Sequence, residues 1–75
     1  MNSENKLFKV GEKLKCMTHA ERKDGGSSIK PGDIVTVIQE YTFTFEGNGC
    51  QEITVQCGDC LPIACDVEPG RFERV

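Results

Sequence analysis

Ile53-Thr54-Val55-Gln56-Cys57-Gly58-Asp59-Cys60-Leu61-Pro62-Ile63-Ala64-Cys65 is the stretch whose reading decides the fold. Successive side chains of a strand alternate between faces, so Ile53, Val55 and Cys57 share one face and Thr54 and Gln56 the other. Leu61, Ile63 and Cys65 share a face in the strand that follows. A two-residue loop at Gly58-Asp59 would pair Cys57 with Cys60 and turn Leu61 and Ile63 to the polar side. A three-residue loop, Gly58-Asp59-Cys60, pairs Cys57 with Leu61 and Val55 with Ile63, so that the large apolar residues all point inward. A slip of one residue reverses every side chain, so burial selects the odd loop. Cys57 and Cys65 then become small core residues, a role buried cysteine often fills, and Cys60 lies exposed on the turn.

Strand signals extend outward from this hairpin. Eight glycines and three prolines punctuate the chain, and no long window has apolar residues at helical spacing. Leu14-Lys15-Cys16-Met17 reads as a first strand, with Lys13 and Lys15 outward and Leu14 inward. His19 to Ser28 reads as a polar loop. In Lys30-Pro31-Gly32-Asp33, Pro31 fixes φ and Gly32 permits a positive φ, which is a turn. Ile34-Val35-Thr36-Val37-Ile38 leads from it and continues through Tyr41-Thr42-Phe43-Thr44-Phe45. Glu46-Gly47-Asn48-Gly49 is the next turn, its Asn-Gly pair a hairpin signal. Leu61-Pro62-Ile63 forms the fourth strand, Asp66 to Gly70 a short 3₁₀ turn, and Arg71 to Val75 the last strand. The expected fold class is all-β: five short strands in 75 residues, bent into a small barrel that removes exposed edges. The whole chain is one domain, with residues 1–7 expected to be a flexible tail. A domain this small retains roughly 3–5 kcal/mol of net stability.

Phe8-Lys9-Val10-Gly11-Glu12-Lys13-Leu14-Lys15-Cys16, Ile29 to Ile38, and Arg71-Phe72-Glu73-Arg74-Val75 together resemble small SH3-like barrel proteins, which are frequent among short phage and prophage reading frames. The resemblance implies a five-stranded SH3-like barrel and a mobile-element origin, but no activity, because this fold hosts many functions. Gly32-Asp33-x-Val35-x-Val37-Ile38 is also similar to the opening of the KOW motif of ribosomal and elongation proteins. That family expects a glycine-containing turn next, whereas here Gln39-Glu40-Tyr41 continues the strand.

Nine Lys and Arg against twelve Asp and Glu leave a net charge of −3, which opposes a generic nucleic-acid binder. The basic residues Lys6, Lys9, Lys13, Lys15, Arg22, Lys23 and Lys30 cluster in the first thirty positions, so a local basic patch is a reading to test. Met1 to Lys6 has no apolar core of a signal peptide, and no segment is apolar enough to span a membrane. The expectation is a cytoplasmic protein, within a bacterial host if phage-derived. Its five cysteines are then reduced thiols or metal ligands, not a disulfide frame.

A structural zinc would take Cys57 and Cys60 as one knuckle and Cys16 with His19 as the second pair. Only one C-x₂-C is present, and the strand parity turns its two thiols apart, so the expectation is no metal. A redox role lacks the helix N-terminus that lowers a catalytic thiol's pKa. No nucleophile is tied to His19 by spacing, and the carboxylates are scattered, so no catalytic residue is expected. Tyr41, Phe43 and Phe45, three of five aromatics, line one face of one strand. They read either as a core ladder or as a docking platform, with at least one of them, Phe45 foremost, expected to be exposed. The leading expectation is a non-enzymatic module that binds a protein partner through Tyr41, Phe43, Phe45, Arg22 and Lys23. The alternatives are a nucleic-acid-binding module using Lys9, Lys13, Lys15, Arg22, Lys23 and Lys30 beside those aromatics, and a zinc-stabilised barrel.

Overall fold

The structure, a computed structural model, describes residues 7–68 and 70–75. Its strands in chain order are β1 (Lys13–Cys16), β2 (Ala20–Glu21), β3 (Ser28–Ile29), β4 (Ile34–Phe45), β5 (Asn48–Gln56), β6 (Ile63–Asp66) and β7 (Phe72–Arg74). Among the described residues there is no helix, and none is therefore long and apolar enough to cross a membrane. Five strands form one antiparallel sheet in the order β6-β5-β4-β1-β7, and β2 pairs with β3 separately. The last strand thus returns beside the first.

One core follows from the alternation. Leu14 and Cys16 of β1, Val35 and Val37 of β4, Ile53 and Val55 of β5, Ile63 and Cys65 of β6 and Phe72 of β7 are all buried, joined by Phe8 and Ile29. Phe8 and Ile29, from outside the five strands, help cover these residues, with Ala20, Cys57 and Val67 packed against them. Its edges β6 and β7 share no ladder among the described residues, so the expected closed barrel is not completed by strand pairing.

The register of the deciding hairpin is the one burial selects: Val55 stands opposite Ile63 and Ile53 opposite Cys65. The turn is closed by the Cys60 N–H donating to the Cys57 carbonyl at 3.1 Å and braced by the Gln56 amide donating to the Cys60 carbonyl at 2.7 Å. Leu61 corrects the expectation, for it is 50% exposed. The ladder stops at Val55–Ile63, and Leu61 instead lies over Gly26, where a Cβ would come within 2.8 Å of its Cδ1.

The segment from His19 to Ser28 is not a loop throughout but the small β2–β3 hairpin, with Ala20 opposite Ile29. A hydrophobic pair at its base explains this, since Ile29 is buried and Ala20 packs on the core. The hairpin docks on the start of β6: Arg22 Nη1 donates to the Pro62 carbonyl at 2.7 Å and Ser27 Oγ to the Leu61 carbonyl at 2.8 Å. Lys30 to Asp33 is the expected turn, with Gly32 at φ 98° and the Asp33 N–H donating to the Lys30 carbonyl at 3.0 Å. Of the expected 3₁₀ segment Asp66 to Gly70, Asp66 belongs to β6 and residue 69 lies outside the described residues; the Arg71 N–H donates to the Glu68 carbonyl at 3.1 Å.

The N-terminal tail expectation falls mostly on residues 1–6, outside the described residues. Leu7 is held, because Arg74 Nη2 donates to its carbonyl at 2.7 Å. Phe8 meets Phe72 edge-on at 6.3 Å between ring centroids, with the Arg74 guanidinium 4.8 Å from its own ring centre.

Candidate interaction surface

β4 and β5 run past the other strands as a two-stranded arm, and its sidedness is decided at Ile38. Thr36 faces Gln56 and Val37 faces Val55, but Gln39 faces Thr54, so one extra residue on β4 forms a bulge. Before the bulge odd-numbered residues point inward, as Val35 and Val37 do. Beyond it Glu40 and Thr42 stand opposite the buried Ile53 and Gln51, so the even-numbered residues take the inner side. Tyr41, Phe43 and Phe45 therefore line the outer face, opposite Glu52, Cys50 and Asn48. Without the bulge they would have continued the inward row of Val35 and Val37.

All three aromatics are exposed, at 63%, 37% and 60% respectively, so Phe45 is exposed as expected and Tyr41 no less so. Tyr41 and Phe43 stack with centroids 5.6 Å apart and planes 21° from parallel. Such a pair contributes about 0.5–1.5 kcal/mol beyond its area and holds both rings in place. The tip is a two-residue loop in which Glu46 and Gly47 have φ of 52° and 82°, flanked by the Phe45–Asn48 pair. Two positive φ values identify a type I′ turn. The turn thus falls within the expected Glu46-Gly47-Asn48-Gly49, centred on Glu46-Gly47 and not on the Asn48-Gly49 pair.

The inner side of the arm is anchored by Gln51, the only buried polar residue among the described residues. Its Oε1 accepts from the Phe8 N–H at 3.0 Å and its Nε2 donates to the Phe8 carbonyl at 2.8 Å and to Glu40 Oε1 at 3.2 Å. The amide acts as a strand neighbour for Phe8, satisfying both of its backbone groups.

Tyr41 also lines an open groove of about 480 Å³ with Val10, Ile38, Gln39, Glu40, Glu52 and Thr54. Glu52 in turn lines a second groove of about 430 Å³ with Arg22, Lys23, Asp24, Pro62, Ala64 and Asp66. The aromatics and the expected Arg22 and Lys23 thus border one outer surface, joined through Glu52. Arg22 is already engaged, its Nε donating to both Asp24 carboxylate oxygens at 3.0 Å. Asp24 is held below its ordinary pKa first by the Gly26 N–H and then by Arg22. Ile38, Glu52 and Asp66 were not singled out by sequence. The available signal was the broken alternation at Val37-Ile38-Gln39-Glu40, two apolar residues followed by two polar ones.

The other expected site residues do not converge. Among the described residues no group of three or more His, Cys, Asp or Glu is placed to hold a metal ion, so Cys16, His19, Cys57 and Cys60 form no common site. Cys16 is buried and its thiol donates to the Thr18 carbonyl at 2.7 Å. His19 lies 3.7 Å from Glu21 at the surface. Cys57 is half-buried against the core and Cys60 exposed. Burial raises the pKa of the Cys16 and Cys65 thiols. That is the reverse of an activated nucleophile.

Lys13 and Lys15 stand outward on β1, Lys13 reaching Thr36 Oγ1 at 3.3 Å. Of the rings, Tyr41 stands opposite Glu52. No protein-family model matches the chain, and neither a curated protein nor a solved structure matches it.

Proposed function

We propose that this chain is a non-enzymatic protein-interaction module of SH3-like architecture, of the kind found in phage and prophage reading frames, which docks a host protein inside the bacterial cytoplasm. The observation that carries the reading is the outward turn of Tyr41, Phe43 and Phe45 by the Ile38 bulge. Rigid, exposed aromatics grouped on one face are the residue type that dominates binding hot spots, and exposed apolar patches on small domains mark interfaces. The strand order, with the last strand beside the first, supports the SH3-like reading.

A nucleic-acid platform would need cations beside the stacking rings. Here Arg22 and Lys23 border the surface together with the carboxylates of Glu40, Glu52 and Asp66, and Arg22 is already engaged by Asp24; this mixed charge favours a protein partner.

The test compares the wild type with a Tyr41→Ser/Phe43→Ser/Phe45→Ser variant for retention of host proteins, each retained protein then being purified and titrated. The expected result is a partner bound by the wild type and lost by the variant, whose unfolding midpoint falls by the lost Tyr41–Phe43 stack, about 0.5–1.5 kcal/mol, while its circular dichroism under binding conditions stays that of the folded wild type. A partner retained equally by both would refute the aromatic surface. Tight binding to mixed-sequence RNA that fails steeply as salt rises above about 50 mM would favour the nucleic-acid reading instead.

A further inference from the structure

The arm has a second property that does not depend on its aromatic face. β1 pairs with β4 only along Ile34 to Thr36, and Val37 makes the last bonds on that side, to Gly11 and Glu12. Past Val37 no described residue pairs with the β4 edge opposite β5. The tip turn sets which backbone groups face this edge. Residues flanking a two-residue loop exchange both ladder bonds, so Phe45–Asn48, Phe43–Cys50 and Tyr41–Glu52 are the bonded pairs. The N–H and C=O groups of Glu40, Thr42 and Thr44 consequently point out of the open edge.

Natural edges are guarded by lysine, proline, an inward charge or a bulge. Gln39-Glu40-Tyr41-Thr42-Phe43-Thr44-Phe45 contains no lysine and no proline. Its one charge, Glu40, lies on the inner side bonded to the Gln51 amide, and with the bulge at Ile38 it guards only the root of this edge, leaving Thr42 and Thr44 unguarded.

We infer that the β4 edges of two copies of this chain pair antiparallel about Thr42, giving a symmetric dimer with a continuous ribbon β5-β4-β4-β5. The strand's own pattern selects this partner and this register. Centred on Thr42, Thr42 faces its symmetry mate and Glu40 faces Thr44 on either side. Every outward-pointing backbone group from 40 to 44 then finds a bond. Centred on Phe43, Glu40 would face Glu46 at the turn, setting like charges opposite and losing its ladder bonds.

In the Thr42 register the two Glu40 residues lie about 13 Å apart along the strand direction, beyond a Debye length at physiological salt. The side-chain pairs also match. Thr42 meets Thr42, a favourable cross-strand pair, and Tyr41 meets Phe43 on the outer face. The six aromatics of two copies thereby join into one platform. The interface is small and of the weak, reversible class, so association is sought at concentrations on the order of 100 μM.

Analytical ultracentrifugation over a concentration series tests this. The wild type should move from 8.3 kDa toward twice that mass. Thr42→Pro removes an N–H that no intramolecular ladder uses, and Thr42→Lys guards the edge without touching the outer face. Both should stay at the monomer mass while keeping the wild-type circular dichroism. If Thr42→Pro loses its fold, Thr42→Lys and Thr44→Lys decide the matter. A wild type that remains monomeric to about 1 mM, or a folded edge variant that doubles its mass as the wild type does, overturns the proposal. The Tyr41→Ser/Phe43→Ser/Phe45→Ser variant keeps all the edge backbone groups and should retain measurable association, which separates this test from that of partner docking.

Discussion

Gln51 shows how one buried side chain can hold a chain segment that no ladder holds. Its amide satisfies both backbone groups of Phe8, whose ring fills the core. Gln51→Ala leaves a buried N–H and C=O without partners, at a cost of about 2–3 kcal/mol. Against a total of roughly 3–5 kcal/mol for so small a domain, that variant should lose about half of its stability, which urea titration followed by circular dichroism would register as a midpoint lowered in proportion. Glu12 acts on the same segment. Its carboxylate accepts from the Lys9 N–H at 3.0 Å and pairs with Arg74, which together hold its pKa below the ordinary value although desolvation opposes them. A depressed folded pKa contributes stability above the unfolded value of about 4.3 and loses it as pH falls through the lower folded value. The urea midpoint of the wild type should therefore drop more between about pH 7 and pH 3 than that of Glu12→Gln. Neither role was legible in sequence, because a lone Gln or Glu states nothing about which backbone group it will meet.

At the scale of elements, turn chemistry and alternation competed, and their balance set the arm. The inward row of Val35 and Val37, continued without interruption, would have sent three more aromatics into a core already holding Phe8 and Phe72. The bulge at Ile38 removes that conflict and aligns the arm on a two-residue turn. The turn places Glu46 at φ 52°, a conformation that costs an ordinary side chain about 1 kcal/mol. Glu46→Asn should raise stability by about 0.5–1 kcal/mol, since Asn tolerates this region. Thermal unfolding would show it as a higher midpoint, and a lower one would mean that the turn is not of type I′. The sequence located this turn within Glu46 to Gly49 but not its centre, because both neighbouring dipeptides end in a glycine that satisfies turn chemistry. The β2–β3 hairpin escaped notice for a different reason: two-residue strands have too few positions to show a period.

Across the whole molecule the five thiols separate by depth. Cys16 and Cys65 are buried, Cys50 and Cys57 half-buried and Cys60 exposed. Burial keeps the first two protonated by raising their pKa. A thiol reagent at neutral pH should label Cys60 fastest and Cys50 and Cys57 more slowly, and reach Cys16 and Cys65 only on unfolding. Rapid native labelling of Cys65 would contradict the Ile53–Cys65 register. That register was readable from the sequence alone, as were the all-β class, the Pro31-Gly32 turn and most of the inward row, because each rests on period-two burial or on local backbone sterics. The outward turn of Tyr41, Phe43 and Phe45, the exposure of Leu61 and a β4 edge left unpaired among the described residues were decided only by tertiary structure. A bulge changes parity without leaving a fixed residue code, and whether an edge or a ring stays uncovered depends on how far the neighbouring strands reach.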